Sequence, residues 1–275
     1  MAAERTIRRA AVLGSPISHS LSPVLHRAGY AAAGLSGWRY DAVEVDRAGL
    51  AGFVAGLDRS WRGLSLTMPL KEVAFSVATE VGETARRAGA VNTLVRRGDG
   101  GWDADNTDVP GIVAALRQVE HGGRARLIGA GATARSAVLA LRDLGVRAVE
   151  VAARRSEAAD ALVAFARREG LEAAPVPLGD WASAAPPLLV STVPASAGPE
   201  LVRDLTDVSG PLEVTLFDVV YAPWPSPLAA AVEARGGTAI SGLEMLLHQA
   251  ALQFELFTGV PGDVAAMRAA VEALG

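Results

Sequence analysis

Hydrophobic positions along this 275-residue chain fall into two kinds of run. Short runs of strand length come first: "RAAVLG" (9–14), "WRYDAVEV" (38–45), "GLSLT" (63–67) and "AVNTLVRR" (90–97). Between them lie longer stretches with apolar residues at helical spacing: "SPVLHRAGYAAAG" (22–34), "DRAGLAGFVAGL" (46–57) and "EVGETARRAG" (80–89). Strands alternating with helices predict βαβ units and a mostly parallel sheet. After the polar segment "DGGWDADNTD" (99–108) a second series begins. Its predicted strands are "RARLIG" (124–129), "AVEVAA" (148–153), "PLLVST" (187–192), "EVTLFDVV" (213–220) and "TAIS" (238–241). Its amphipathic helices are "TARSAVLALRDLG" (133–145) and "EAADALVAFARREG" (157–170). "AAPVPLGDWASAAPP" (173–187) reads as a Pro/Ala loop, and the chain from Gly242 on is almost all helical, broken at "TGVPGD". The pattern predicts an α/β protein of two units with a helical tail and no internal repeat.

Composition narrows the function. A net charge of −4 argues against a nucleic-acid partner. The absence of cysteine excludes disulfides and thiol nucleophiles. The four histidines show no metal-ligand spacing. No apolar run approaches the ~20 residues that span a bilayer. The N-terminal "MAAERTIRRAAVLGSP" is interrupted by Gly14 and Pro16, unlike a signal peptide. A soluble cytoplasmic protein without a metal is expected, its oligomeric state open and a homodimer compatible with the sequence.

Of the 26 basic residues one is lysine, Lys71 in "SLTMPLKEVA". Arginine keeps its proton in proteins, whereas lysine gives it up when its surroundings favour the neutral form. A lone lysine in an arginine-rich chain is either a chance survivor or a site of proton transfer. Lys71 follows a strand and Pro69, which suggests the first turn of a helix. A cation there opposes the helix macrodipole, and its proton is the easier to lose. Asparagine is as rare: Asn92 in "AVNT" and Asn106 in "ADNTD" are the two in the chain. Each could stabilise a turn, but both lie within 36 residues of Lys71, at predicted strand ends facing one cleft. Asp108 closes "ADNTD" at the hinge between the units. "GSPISHSLSPVLH" (14–26) is dense in serine, and Ser20 and Ser22 offer hydroxyls for a carboxylate beside a helix start where Pro23 fits the first turn. One serine would suffice for N-capping.

"RLIGAGATARSAV" runs strand, glycine turn, helix, with Gly129, Gly131 and, in the third position, Ala134. This is a GxGxxA form of the dinucleotide-binding loop, with backbone N–H groups placed for a pyrophosphate. Taken alone it is also an ordinary strand–helix turn. At the end of the next strand an NAD site carries an acid; "VEVAARRSEAA" places Arg154 and Arg155 there. Two guanidinium groups suit a 2′-phosphate, so NADP is favoured. Glu157 close by keeps NAD open. A cleft with a lysine–aspartate pair, hydroxyls for a carboxylate and a dinucleotide loop suggests hydride transfer to a small polar carbonyl compound.

Over nearly its whole length the sequence resembles the shikimate dehydrogenase family. "GSPISHSLSPVLH", "GLSLTMPLK", "GAVNT", "DNTD", "GAGATAR", "DVVYAPWPSPL" and "GLEMLLHQAALQFELFTG" match that family's motifs in order. The resemblance implies that Lys71 and Asp108 form the catalytic pair, and that Ser20, Ser22, Thr67, Asn92, Tyr221 and Gln249 contact shikimate. The cofactor site expected on this reading comprises Gly129, Ala130, Gly131, Ala132, Arg154, Arg155, Thr192 and Gly242. It further implies an N-terminal α/β substrate domain (1–107) to which the C-terminal helices (242–275) return, and a Rossmann-type NADP-binding domain (108–241). The implied reaction is the reversible NADPH-dependent reduction of 3-dehydroshikimate to shikimate, in aromatic amino-acid (chorismate) biosynthesis. Arg27, Ser65, Ala153 and Ser191 stand where the family usually has asparagine, and Ala132 where it has a second glycine. These departures bear on cofactor affinity and NADP preference more than on catalysis. Two alternatives stay open: a quinate/shikimate dehydrogenase paralogue able to use NAD, and a catalytically silent dinucleotide-binding regulator, against which the intact Lys71 and Asp108 argue.

Overall fold

A computed structural model describes residues 7–205 and 210–274. The outermost residues of the expected domains, 1–6 and 275, and the segment 206–209 lie outside the described residues. Residues through Thr107, with those from Leu246 on, form one compact unit; Asp108–Met245 form another.

Up to Thr107 the elements in chain order are β1 (Arg8–Gly14), α1 (Ser22–Ala32), β2 (Trp38–Glu44), α2 (Leu50–Ala55), β3 (Trp61–Leu66), β4 (Glu80–Val81), α3 (Glu83–Ala88), β5 (Thr93–Arg96) and β6 (Trp102–Asp105). They continue with α4 (Asp108–Leu116), β7 (Arg124–Ile128), α5 (Ala132–Asp143), β8 (Ala148–Ala152), α6 (Ser156–Arg168), β9 (Glu172–Val176) and β10 (Leu188–Ser191). The remainder is α7 (Gly198–Asp204), β11 (Thr215–Asp218), α8 (Pro227–Glu233), β12 (Thr238–Ser241), α9 (Gly242–Thr258) and α10 (Val264–Glu272).

The first unit holds a sheet of order β2-β1-β3-β5-β6-β4. Its pairings are parallel except where β5 meets β3 and β6. The segment expected as a polar connector (99–108) therefore contains a strand, β6. A tight turn makes the β5–β6 hairpin: Gly100 has φ +97°, and Asp99 accepts from the Gly101 N–H at 2.9 Å. β1 and β3 are buried almost throughout, so both faces of the sheet centre are covered. The helical tail covers one of them. A Cβ on Gly63 of β3 would stand 2.0 Å from the Phe257 ring of α9, and one on Gly29 of α1 2.9 Å from Phe254 and Met267. These glycines let the tail lie directly on strand and helix.

The second unit is an all-parallel sheet of order β12-β11-β10-β7-β8-β9. The strand order reverses between β7 and β10, and a doubly wound sheet binds its ligand outside the strand carboxyl ends at that reversal. The expected Pro/Ala loop 173–187 begins inside a strand: β9 pairs with β8 at the sheet edge. Pro175 lies within it, which an edge strand tolerates because one side needs no ladder donor.

Candidate active site

In the second unit, Gly129 leaves β7 with φ +109°, and a Cβ there would meet the Thr192 Oγ1 at 2.5 Å. Only glycine combines that φ with that approach. Gly131 is the N-cap residue of α5, in extended conformation, and Ala134 is fully buried in the helix behind it, the close packing that a third small residue permits. A cavity of about 400 Å³ opens at this turn, and Gly129, Ala130, Gly131, Arg154, Arg155 and Thr192 are in its wall. Arg154 and Arg155 are exposed at the end of β8. The wall contains Glu200 of α7 but not Glu157, the acid that would favour NAD. Helix N-terminus, glycine turn and two guanidinium groups on one cavity fit a phosphorylated dinucleotide. Ala132 opens α5 beside Gly131, outside this wall. Gly242 has a packing reason of its own: a Cβ there would stand 2.1 Å from the Val219 carbonyl oxygen. Asp108, the first residue of α4, is buried, and Tyr221 is half-buried in the loop after β11.

In the first unit, Thr67, the Lys71 backbone, Asn92 and Gln249 lie at the end of the sheet where β1 and β3 end, β5 starts and β6 ends; Ser20 and Ser22 lie at the start of α1, in the segment after β1. The N-cap residue of α1 is Leu21, with no side-chain cap; Ser20 Oγ accepts from the Ser22 N–H at 3.3 Å, and Pro23 is in the first turn. Thr67 follows β3, its N–H donating to Leu13 at the end of β1 (2.9 Å) and its carbonyl accepting from Leu70 N–H (2.8 Å). The Lys71 carbonyl accepts from Val91 N–H at 2.7 Å, joining the lysine segment to Asn92. The expected helix start at Lys71 is not there. Residues 68–72 are turns, and a five-residue 3₁₀ helix follows at Val73–Val77. The segment that follows Lys71 is thus not the α-helix whose macrodipole was expected to act on the ammonium.

Asn92 is the centre of a buried network. Its Oδ1 accepts from Thr107 N–H (2.8 Å) and from Thr93 Oγ1 (2.7 Å), and its Nδ2 donates to Thr107 Oγ1 (3.0 Å) and Gln249 Oε1 (3.4 Å). One turn beyond Gln249 on α9, Gln253 donates to Asn92 O (3.0 Å) and Thr93 Oγ1 (2.9 Å) and accepts from Ser65 Oγ (2.7 Å). Ser65 in turn accepts from the Tyr40 hydroxyl at 2.6 Å. Burial pushes the Tyr40 phenol well above its ordinary range, against the pull of Ser65 and Ser22. Tyr40, Ser65, Thr93, Thr107 and Gln253 were not among the expected site residues. The signal for Gln253 is its place four residues after Gln249, on the same face of the helix. Asn106 has a structural task, its Nδ2 donating to the Ala90 carbonyl at 2.9 Å. Arg27 bonds the Tyr40 carbonyl at 2.9 and 3.1 Å from α1.

The amides and hydroxyls at this end of the sheet suit a polar, hydroxylated ligand, and the other unit's cavity suits a dinucleotide. Among the described residues no group of three His, Cys, Asp or Glu could hold a metal. Residues 12–94 match the family model of the shikimate dehydrogenase substrate binding domain, and residues 242–272 that of the shikimate 5'-dehydrogenase C-terminal domain. The shikimate dehydrogenase (NADP(+)) of Methylobacterium radiotolerans is 40% identical over 263 residues, 91% of each chain. The chain belongs to the shikimate dehydrogenase family. Among solved structures of that family, the Mycobacterium tuberculosis shikimate dehydrogenase superposes with TM-score 0.86 at 44% identity, covering 97% of this chain and 99% of that one. The Thermus thermophilus shikimate 5-dehydrogenase in complex with NADP(H) and shikimate gives TM-score 0.80 at 34% identity, with 97% and 99% covered. The architecture is thus the family's: an α/β substrate unit, a Rossmann-type unit and C-terminal helices that return to the first.

Proposed function

We propose that this protein is an NADP-dependent shikimate dehydrogenase, catalysing the reversible reduction of 3-dehydroshikimate to shikimate in aromatic amino-acid biosynthesis. The observation that carries this reading is the likeness, across nearly the full chain, to a relative crystallised with both NADP(H) and shikimate. NADP, when bound, supplies or accepts the hydride at its nicotinamide ring. Gly129, Gly131 and the start of α5 would hold its pyrophosphate, and Arg154 with Arg155 its 2′-phosphate.

Ser20, Ser22, Thr67, Asn92 and Gln249 of the first unit, with Tyr221 of the second, would bind and orient the acid substrate. Asn92 is held in place for this by its bonds to Thr93, Thr107 and Gln249. Lys71 would give a proton to the substrate oxygen in reduction and take one in oxidation, and hold charge on that oxygen in the transition state. Asp108 is its acidic counterpart in the assigned catalytic pair. Both ligands are soluble metabolites, and the cytoplasm is the compartment proposed for the reaction.

The test is a rate comparison over four pairs, shikimate or quinate with NADP⁺ or NAD⁺. Shikimate with NADP⁺ should be fastest. No shikimate-dependent reduction of either nicotinamide would overturn the reading. A preference for quinate or NAD⁺ would move the protein to the quinate/shikimate paralogues.

A further inference from the structure

Asp218 ends β11 and is 2% exposed, yet among the described residues no salt bridge reaches it. Two donors from within ten residues occupy its two oxygens. Oδ1 accepts from the Val220 N–H at 3.2 Å, and Oδ2 from the Ser226 hydroxyl at 2.6 Å. The Ser226 oxygen itself accepts from Ala229 N–H at 3.0 Å, capping α8. Its proton is therefore directed at Asp218. Both bonds need an acceptor oxygen, and the ionised carboxyl accepts at both without a proton of its own to place. Burial raises the Asp218 pKa, and Ser226, Val220 and Ser191 pull it back. The residues around this small cavity, Ser191, Val193, Pro194 and Leu228 among them, include no other titratable group. A buried carboxylate without a cation is costly. An apolar residue would fill the place at less cost unless the two bonds serve a purpose.

Between those two donors runs the loop 219–226, and Tyr221 lies on it. The outgoing end is further tied by Val219 N–H to Ser191 O (3.0 Å) and by Gly242 N–H to Val220 O (3.2 Å). The returning end, at Ser226, is tied to the same carboxylate. We propose that Asp218 is a positioning residue: its carboxylate clamps both ends of the loop and so fixes Tyr221 for the substrate. This rests on the reading of the chain as a shikimate dehydrogenase.

The test pairs Asp218→Asn with Ser226→Ala, in wild-type and Tyr221→Phe backgrounds. An asparagine has one acceptor oxygen and cannot serve both donors. Asp218→Asn should raise KM for shikimate about tenfold or more, the scale of a lost hydrogen bond to a charged group, with kcat changed less and KM for NADP⁺ less than about twofold. Ser226→Ala should shift the same constant in the same direction, and it carries the test if Asp218→Asn does not fold. If Asp218 acts through Tyr221, its substitution should change little once Tyr221 is phenylalanine. Chymotryptic cleavage after Tyr221 gives a readout free of activity, and should be about tenfold faster in both variants if the closed loop is held by these bonds. Unchanged cleavage, an equal rise in both KM values, or full effects in the Tyr221→Phe background would each overturn the clamp. A wild-type protein inactive on shikimate whose variants are still cleaved faster would uphold the clamp and refute the activity.

Discussion

Acidification from pH 7 to pH 5 should destabilise the first unit through one residue, His26. The imidazole is fully buried on α1, stacked on Tyr40 at 4.0 Å between ring centroids and flanked by Tyr30, Phe254 and Phe257. Neither ring nitrogen has a hydrogen-bond partner of ordinary geometry among the described residues. Burial lowers its pKa from 6.5 to about 3, and the nearby Gln253 side chain offsets this only in part. The folded state therefore holds a neutral imidazole while the unfolded chain takes up a proton below pH 6.5. Unfolded protein binds more protons as pH falls, so stability is lost, progressively between pH 6.5 and about 3. At 1.36 kcal/mol per pKa unit the loss reaches roughly 5 kcal/mol at the acid end, and about 2 kcal/mol between pH 7 and pH 5. The smaller figure depends almost wholly on the unfolded pKa and hardly changes if the folded value is a unit higher. The assay is urea unfolding at pH 7.0 and 5.0 at constant ionic strength, followed by tryptophan fluorescence; Trp38, Trp61 and Trp102 report on the first unit. Other groups titrate too, so the comparison is with His26→Leu, which removes the imidazole at similar volume. Wild type should lose about 2 kcal/mol more than the variant over this interval. Equal losses in the two proteins would refute the account, whatever the offset between them at pH 7.

Three further outcomes follow from the geometry. Lys71→Ala should lose at least ~10²-fold in kcat, the low end for general acid–base catalysis, and Lys71→Arg nearly as much, since a guanidinium keeps its proton; near-normal turnover of Lys71→Arg in steady-state kinetics would show that charge alone suffices. Arg154→Ala should raise KM for NADP⁺ about ten- to a hundredfold, the scale of a charge-assisted bond to phosphate, and leave KM for NAD⁺ nearly unchanged; equal effects would assign the arginine to the pyrophosphate or the fold. Gly63→Ala should cost about 1–3 kcal/mol or more by overpacking, because the new methyl group would overlap the Phe257 ring, and a melting curve should show partial recovery in Gly63→Ala/Phe257→Leu.

Local chemistry explains which parts of this molecule could be read from the chain. The glycine turn at Gly129 needs a residue of positive φ next to a strand, and both requirements are written within a few positions. The helical tail follows from periodicity, and the parallel second sheet from the alternation of its strands with helices. Strand direction is not carried by periodicity, so β5 gave no sign of running against its neighbours. The β6 segment does alternate, Trp102 and Ala104 buried and Asp103 and Asp105 partly exposed, but three aspartates within seven residues mimic a solvated connector. The turn at Lys71 had the composition of a helix start, and its path is set by contacts with Leu13 and Val91 rather than by its own residues. The polar network was hidden for a different reason. Ser65 and Gln253 are 188 residues apart and Asn92 and Gln249 157 apart. A glutamine in a helix that also carries Glu244, His248 and Glu255 is indistinguishable from a surface residue until something shows which face it is on. That face is decided by Gly63 and Gly29, whose missing side chains bring α9 down onto the sheet. Two glycines in the first hundred residues thus determine where two glutamines in the last thirty place their amides, and a polar site assembled by such contacts is legible only once the tail has been docked.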